Sequence, residues 1–324
     1  MDDVRSTEPS RPPGAAEPSG PSGVPRTSNP LRTPDPREQP GSLAAYLARL
    51  GRPDLASAPA DLATLFALHR AHVERVPYET LQIALGHPPA ADAASSVASV
   101  LHGHGGYCFH LNGAFAWLLT ALGYAVRHHR AGVQGARDPE PVGANGNHLA
   151  LTVELAGQAW LVDVGLGSAL HEPVPLVEGR YRQGPFTYGL RPSEAVPGGW
   201  RFDHDLRADS FAGMDLDLSP CSLGEATTRH TELSTAPESI FVKVLAVQRR
   251  DADGVDLLRS VSLTRIDRAG RRDRVLESVA DFEGVLRGVF GLDLAGMPRA
   301  DLADVWARQA AAYAAYRDKK AAGA

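Results

Sequence analysis

The residues best suited to chemistry in this chain lie in two places. The first is the run His104-Gly105-Gly106-Tyr107-Cys108-Phe109-His110-Leu111-Asn112. Its glycine pair permits a tight turn where side chains would clash, and Cys108 then opens a helix. Leu111, Phe115, Leu118 and Leu122 follow on the same face, which turns the thiol inward. A helix N-terminus offers free N–H groups and partial positive charge, and both favour a thiolate, the reactive form of cysteine. Taken alone, Cys108 reads equally well as a buried structural cysteine, since free cysteine is among the most buried residue types.

The second place is a pair of apolar runs. His148-Leu149-Ala150-Leu151-Thr152-Val153-Glu154-Leu155 alternates as a strand, and Ala159 to Val164 forms another, with Asp163 inside it. Ala156-Gly157 between them predicts a two-residue hairpin turn. With that loop, Asp163 falls opposite Ala150 and His148 opposite Gly165. Asp163 and His148 then share a face as diagonal neighbours, roughly 7–8 Å apart along the backbone and within reach of a carboxylate–imidazole hydrogen bond. A three-residue loop would reverse that facing. A carboxylate inside an apolar strand needs a partner, and His148 supplies one. A structural His–Asp pair is the plain reading of these two residues; with Cys108 they also offer nucleophile, base and orienter.

The remaining elements frame these residues. Leu43, Tyr46, Leu47 and Leu50 recur at helical spacing, with Ser42 as N-cap and Gly51 as stop. A second helix is predicted from Asp61 to about Val73, and a third from Cys108 to Leu122, closed by Gly123. Strands are predicted at Gly199–Asp203, Phe241–Gln248 and Leu257–Arg265, and helices at Asp281–Phe290 and Arg299–Tyr316. Helices, then strands, then a mixed tail predict an α+β protein of several lobes.

Composition narrows the class. The chain has 324 residues and a formal charge of −5, which argues against a phosphate-coating nucleic-acid binder. Two cysteines, Cys108 and Cys221, exclude a disulfide scaffold and a cysteine-rich zinc module. The longest nearly apolar run, Ala114 to Val126, falls short of the roughly 20 residues that cross a bilayer, and no signal peptide is evident. A soluble cytoplasmic protein is expected, with no nucleic-acid or membrane partner; oligomeric state is not legible. Ten of the first forty residues are proline, which predicts a disordered arm over 1–40 or, on composition alone, a proline-rich docking ligand.

With these motifs in place, the sequence resembles the arylamine N-acetyltransferase family. The family pattern RGG-x-CFE-x-N is similar to His104–Asn112. Its H-xxx-IPFENL pattern is similar to His72–Leu81, and its LVDVGFG segment to Leu161–Gly167. His230 to Phe241 resembles the start of the family's third domain. The resemblance implies an N-terminal helical bundle (41–124), a central β-barrel (125–230) and a C-terminal α/β lid (231–324). It implies the triad Cys108, His148 and Asp163, no metal, and a ping-pong reaction. Acetyl-CoA acylates the cysteine, and an arylamine or arylhydrazine then removes the acyl group. Tyr78, Phe202 and Phe211 would line the acceptor site, and Ser234 and Thr235 would contact CoA. An amide synthase of secondary metabolism would use the same triad.

This sequence departs from the family at several positions. His104 replaces an arginine that in the family pairs with the glutamate matching Glu79, so a weaker, pH-sensitive His104–Glu79 pair is expected. His110 replaces a glutamate, Tyr78 a phenylalanine, Thr80 an asparagine and Leu166 a phenylalanine.

Two other classes remain open at this stage. A CoA-independent cysteine hydrolase or transglutaminase-like enzyme shares the Cys–His–Asp order. A metal-binding or sensor protein could use His102, His104, Cys108 and His110, with His128 and His129 nearby. Cys221 and the run Arg271-Arg272-Asp273-Arg274 read as structural, the latter as a solvated loop.

Overall fold

The computed structural model describes residues 40–208, 211–219 and 221–322. The expected disordered arm lies outside the described residues, except for Pro40, which opens the first helix. Helices α1 (Pro40–Arg49), α2 (Leu62–Arg75), α3 (Leu81–Ala84), α4 (Ala93–Leu101) and α5 (Cys108–Ala121) come first. Asp61 caps α2 by accepting from the Thr64 N–H at 2.9 Å, and Asp92 caps α4 through the Ser95 N–H. Helix α5 is buried on every side from Cys108 to Leu119, as expected of a helix apolar all round. Tyr46 and Leu47 of α1, Leu50 just beyond it, and Leu65 and Leu68 of α2 share one core with Phe115 and Leu118 of α5. That packing fixes the start of α5, and with it Cys108.

Eight antiparallel strands form a nearly closed barrel. They are β2 (Ala125–Gly135), β3 (His148–Leu155), β4 (Gln158–Leu161), β5 (Val174–Pro175), β6 (Gly179–Gln183), β7 (Phe186–Pro192), β8 (Trp200–Asp203) and β9 (Phe211–Leu216), in the order β5-β4-β3-β2-β9-β8-β7-β6. The β3–β4 hairpin has the predicted two-residue turn. Ala156 and Gly157 both take positive φ, 52° and 77°, the requirement of a type I′ turn. Leu155 pairs with Gln158 and Thr152 with Leu161, the register that sets Asp163 on the face of His148.

Beyond the barrel come α6 (Leu223–Thr235), α7 (Ile240–Lys243), strands β10 (Ala246–Arg250), β11 (Gly254–Arg259), β12 (Ser262–Asp267) and β13 (Gly270–Val275), and helices α8 (Val279–Gly288) and α9 (Arg299–Ala322). A short strand β1 (Tyr78–Glu79) from the helical region completes their sheet, ordered β1-β10-β11-β12-β13. The chain therefore has the α+β architecture of helices, barrel and lid sheet. Among the described residues, no helix is long and apolar enough to cross a membrane.

The structure corrects several local expectations. The predicted strand Phe241–Gln248 begins as helix α7, because the Ser239 hydroxyl accepts from the Phe241 N–H and starts a turn. The predicted strand Leu257–Arg265 is a hairpin that turns at Ser260, whose φ is 54°. The strand predicted through Val164 ends at Leu161, and Asp163 sits just past it. The arginine run 271–274 is the exposed edge strand β13 rather than a loop; Arg271 pairs with Asp273 at 2.9 Å and Arg274 with Asp281 at 2.8 Å.

Buried histidines give the fold an acid limit. His69, His72, His110 and His204 are all buried. Burial pushes His72 down to about 3 and the other three down to about 4. Each is neutral when folded and titrates near 6.5 when unfolded. The unfolded chain thus binds more protons between pH 6.5 and 4, and stability falls as pH drops through that window. The urea midpoint is expected to decrease markedly from pH 7.5 to pH 5. A flat profile would contradict this account of the buried rings.

Candidate active site

Cys108 occupies the first position of α5, where backbone N–H groups lack helical partners. Its thiol is 3.8 Å from the Asn147 carbonyl, and its charge and hydrogen-bonding act on the His148 ring. His148 Nε2 bonds Asp163 Oδ2 at 2.7 Å, which leaves Nδ1 for the sulfur. The three residues are 3%, 3% and 1% exposed, so their interactions act in a poorly screened setting. Burial alone would lower the His148 pKa. The charges of Asp163 and Cys108, and hydrogen bonds to both, outweigh burial and raise it to about 10. These interactions favour the protonated ring, beside a sulfur that benefits from positive charge.

Asp163 is itself fixed by two further donors. Its Oδ1 accepts from Asn112 Nδ2 and from the Gly165 N–H, both at 2.8 Å. Asn112 also donates to the Leu149 carbonyl at 2.6 Å and accepts from the Val164 N–H at 3.0 Å. One fully buried amide therefore ties α5 to β3 and to the segment after β4. Asn112 stands four residues after Cys108, one helical turn along the same face.

Gly165 is the point of closest approach. A Cβ there would lie 2.8 Å from the Cys108 Cα and 2.7 Å from Asn112 Nδ2. Its φ is not in the left-handed region, so space alone is the constraint. Gly165→Ala is expected to lower activity by about 100-fold, the usual effect of displacing reacting groups by about 1 Å, and to destabilise by about 1–3 kcal/mol. Turnover and urea midpoint of the variant check both; native values for both would remove the packing argument.

The other predicted site residues fall as follows. Tyr78 packs on the cluster holding Cys108, Tyr107 and Phe109. Burial first, and then Cys108, raise its hydroxyl well above the usual tyrosine range. Phe202 and Phe211 lie with Leu166 in the barrel core, their centroids 6.5 Å apart. Ser234 and Thr235 end α6, where both hydroxyls donate back to the Thr231 carbonyl at 3.4 and 2.6 Å. A CoA group binding them would displace those bonds at a carbonyl-rich helix end.

The expected His104–Glu79 pair does not form. Glu79 is buried and accepts from the Leu81 N–H, with the Gly105 and Gln82 N–H groups also aimed at it. Burial raises its pKa. His104 is lowered by burial, with Asp293 as its main opposing charge. The shorter imidazole does not span to Glu79, and backbone donors satisfy the carboxylate in its place. His110 turns to the Pro89 carbonyl at 3.2 Å and His102 to the Ala98 carbonyl at 2.7 Å. Among the described residues, no group of three or more His, Cys, Asp or Glu is arranged to hold a metal ion.

Comparison with known proteins bears on this geometry. The family model described as N-acetyltransferase matches residues 61–299. An arylamine N-acetyltransferase of Escherichia coli is 30% identical over 254 residues, 76% of this chain and 87% of that one. The chain belongs to the arylamine N-acetyltransferase family. An arylamine N-acetyltransferase of Mycolicibacterium smegmatis is 29% identical over 80% of this chain and 95% of its own. The Mycobacterium abscessus arylamine N-acetyltransferase structure superposes with a TM-score of 0.74 at 28% identity, covering 88% of this chain and 99% of that chain. The Mycobacterium marinum enzyme in complex with CoA gives 0.74 at 25%, covering 82% and 98%.

Proposed function

We propose that this arylamine N-acetyltransferase carries an acetyl group from acetyl-CoA to an arylamine or arylhydrazine through a thioester on Cys108. The observation that carries this reading is the line from Asp163 Oδ2 through the His148 ring to the Cys108 thiol at the start of α5. Family membership and the CoA complex of the Mycobacterium marinum relative support the choice of donor.

The residues divide the work as follows. Asp163 fixes the ring orientation and the proton on Nε2. Nδ1 of His148 takes the thiol proton and leaves a thiolate beside an imidazolium. The sulfur attacks the thioester carbonyl of acetyl-CoA; the C–S bond to CoA breaks, and the departing thiolate takes a proton from the imidazolium. In the second half, the amine nitrogen attacks the acetyl-cysteine carbonyl. His148 accepts the amine proton, the amide forms, and Cys108 is regenerated. Tyr78, which packs on the cluster holding Cys108, supplies aromatic surface for the acceptor, whereas Phe202 and Phe211 are taken up by the barrel core.

The two halves share one form of the enzyme and never need both substrates bound. Initial rates measured against amine at several acetyl-CoA concentrations are therefore expected to give parallel double-reciprocal lines. Intersecting lines would replace the covalent route with direct transfer. Amide hydrolysis that proceeds without acetyl-CoA would instead favour the cysteine-hydrolase reading.

A further inference from the structure

A cavity of about 680 Å³ opens beside the helical region, and none of the triad residues lines it. Its walls include Arg49 of α1, Ser95 and Ser99 of α4, Gln82, His104 and Asp293. The volume is that of a site for a small molecule.

The two permanent charges in the walls are unequally satisfied. Asp293 is engaged: its Oδ1 accepts from the Ala295 N–H at 2.7 Å, and its charge acts on His104. Arg49 is not. Its Nε and Nη2 are enclosed without an acceptor, and among the described residues no carboxylate pairs with it. Burial first, and then the neighbouring Arg75, disfavour its charge. His104 Nδ1 is likewise enclosed without a partner. A half-buried cation beside a second cation, with no counter-charge, is costly. An anion in the cavity would supply that counter-charge, and a guanidinium matches the paired oxygens of a carboxylate or phosphate. The rest of the wall is polar. The Ser95 hydroxyl donates to Asp92 Oδ2 at 2.7 Å and the Ser99 hydroxyl to the Gly105 carbonyl at 2.8 Å. Both oxygens therefore keep acceptor capacity for a hydroxyl of the ligand, and Gln82 adds an amide.

We propose that this cavity is a binding site, separate from the catalytic centre, for a small hydroxylated metabolite with one carboxylate or phosphate group, and that Arg49 in the cavity wall holds the anionic end. Asp293 limits the ligand to one such end, since a second anion would face its carboxylate.

The test uses glycerol 3-phosphate, glycerate and glycerol, which share a hydroxylated body and differ in the anionic group. Thermal unfolding of the full chain is followed with each at equal concentration, with sodium chloride matching the ionic strength. At about 100 times its Kd, at least one of the two anions is expected to raise the midpoint by about 5–10 °C, and glycerol to leave it unchanged. The anion with the larger shift tells phosphate from carboxylate. Titration calorimetry should give one site. Arg49→Gln should weaken that binding at least about tenfold, the scale of a hydrogen bond to a charged group. Arg49→Lys keeps the charge without the fork; it should keep part of the affinity and serves as the test if the glutamine variant fails to fold. No shift beyond that of sodium chloride, a shift with glycerol as large as with the anions, or native affinity in either folded variant overturns the assignment. None of the probes carries an amine or a thioester, so the outcome is independent of the transfer reaction.

Discussion

Cys108→Ala is expected to reduce acetyl transfer by about 10⁴-fold or more, the range seen when a covalent nucleophile is removed from a triad. The loss falls on chemistry rather than on folding. Apart from its interaction with the His148 ring, the thiol makes one weak contact, with a backbone carbonyl at 3.8 Å, and alanine keeps the helix start and its packing. The urea midpoint should therefore stay close to native, and binding of acetyl-CoA measured by calorimetry should persist. A variant that retains substantial turnover would mean that the sulfur does not carry the acyl group.

Asp163→Asn is expected to have the next largest effect, about 10⁴-fold on the rate of enzyme acylation, as for other triads in which the orienting carboxylate becomes an amide. The change is nearly isosteric, yet the hydrogen-bond count forbids it. Three donors converge on this side chain: His148 Nε2 on Oδ2, and Asn112 Nδ2 and the Gly165 N–H on Oδ1. An asparagine has one acceptor oxygen and one NH2 group. If the NH2 faces His148, the ring must move its proton to Nδ1 and can no longer accept from the thiol. If it faces the other way, the Asn112 and Gly165 donors lose their partner in a dry site. Single-turnover acylation, with near-UV circular dichroism to follow packing, checks this. Near-native acylation in a folded Asp163→Asn protein would remove the orienting role.

These two residues also show how far the sequence could be read. The His148–Asp163 facing followed from a two-residue turn, because hairpin register is a local property and Ala156-Gly157 suits the positive φ that such a turn demands. Cys108 at a helix start was local as well. What joins α5 to the hairpin is not local. Asn112 and Gly165 meet across 53 positions of chain, and only their contact gives either one a reason for its identity.

Edge strand β13, outside the barrel, is set by pairing with its neighbour more than by its own pattern. Each residue of β13 is exposed, so no alternation marks it. The His104–Glu79 expectation failed for a related reason. Residue types suggested a pair, but backbone N–H groups near Glu79 were already placed to take the carboxylate.

The central claim is that the acetyl group rests on one sulfur between donor and acceptor. The most direct measurement mixes the protein with acetyl-CoA alone, without amine, and reads intact mass followed by peptide mapping. The account predicts a single acetyl adduct, on the peptide bearing Cys108, that disappears when an arylamine is added. An unmodified protein that still acetylates amines, or an adduct confined to any other residue, would contradict it.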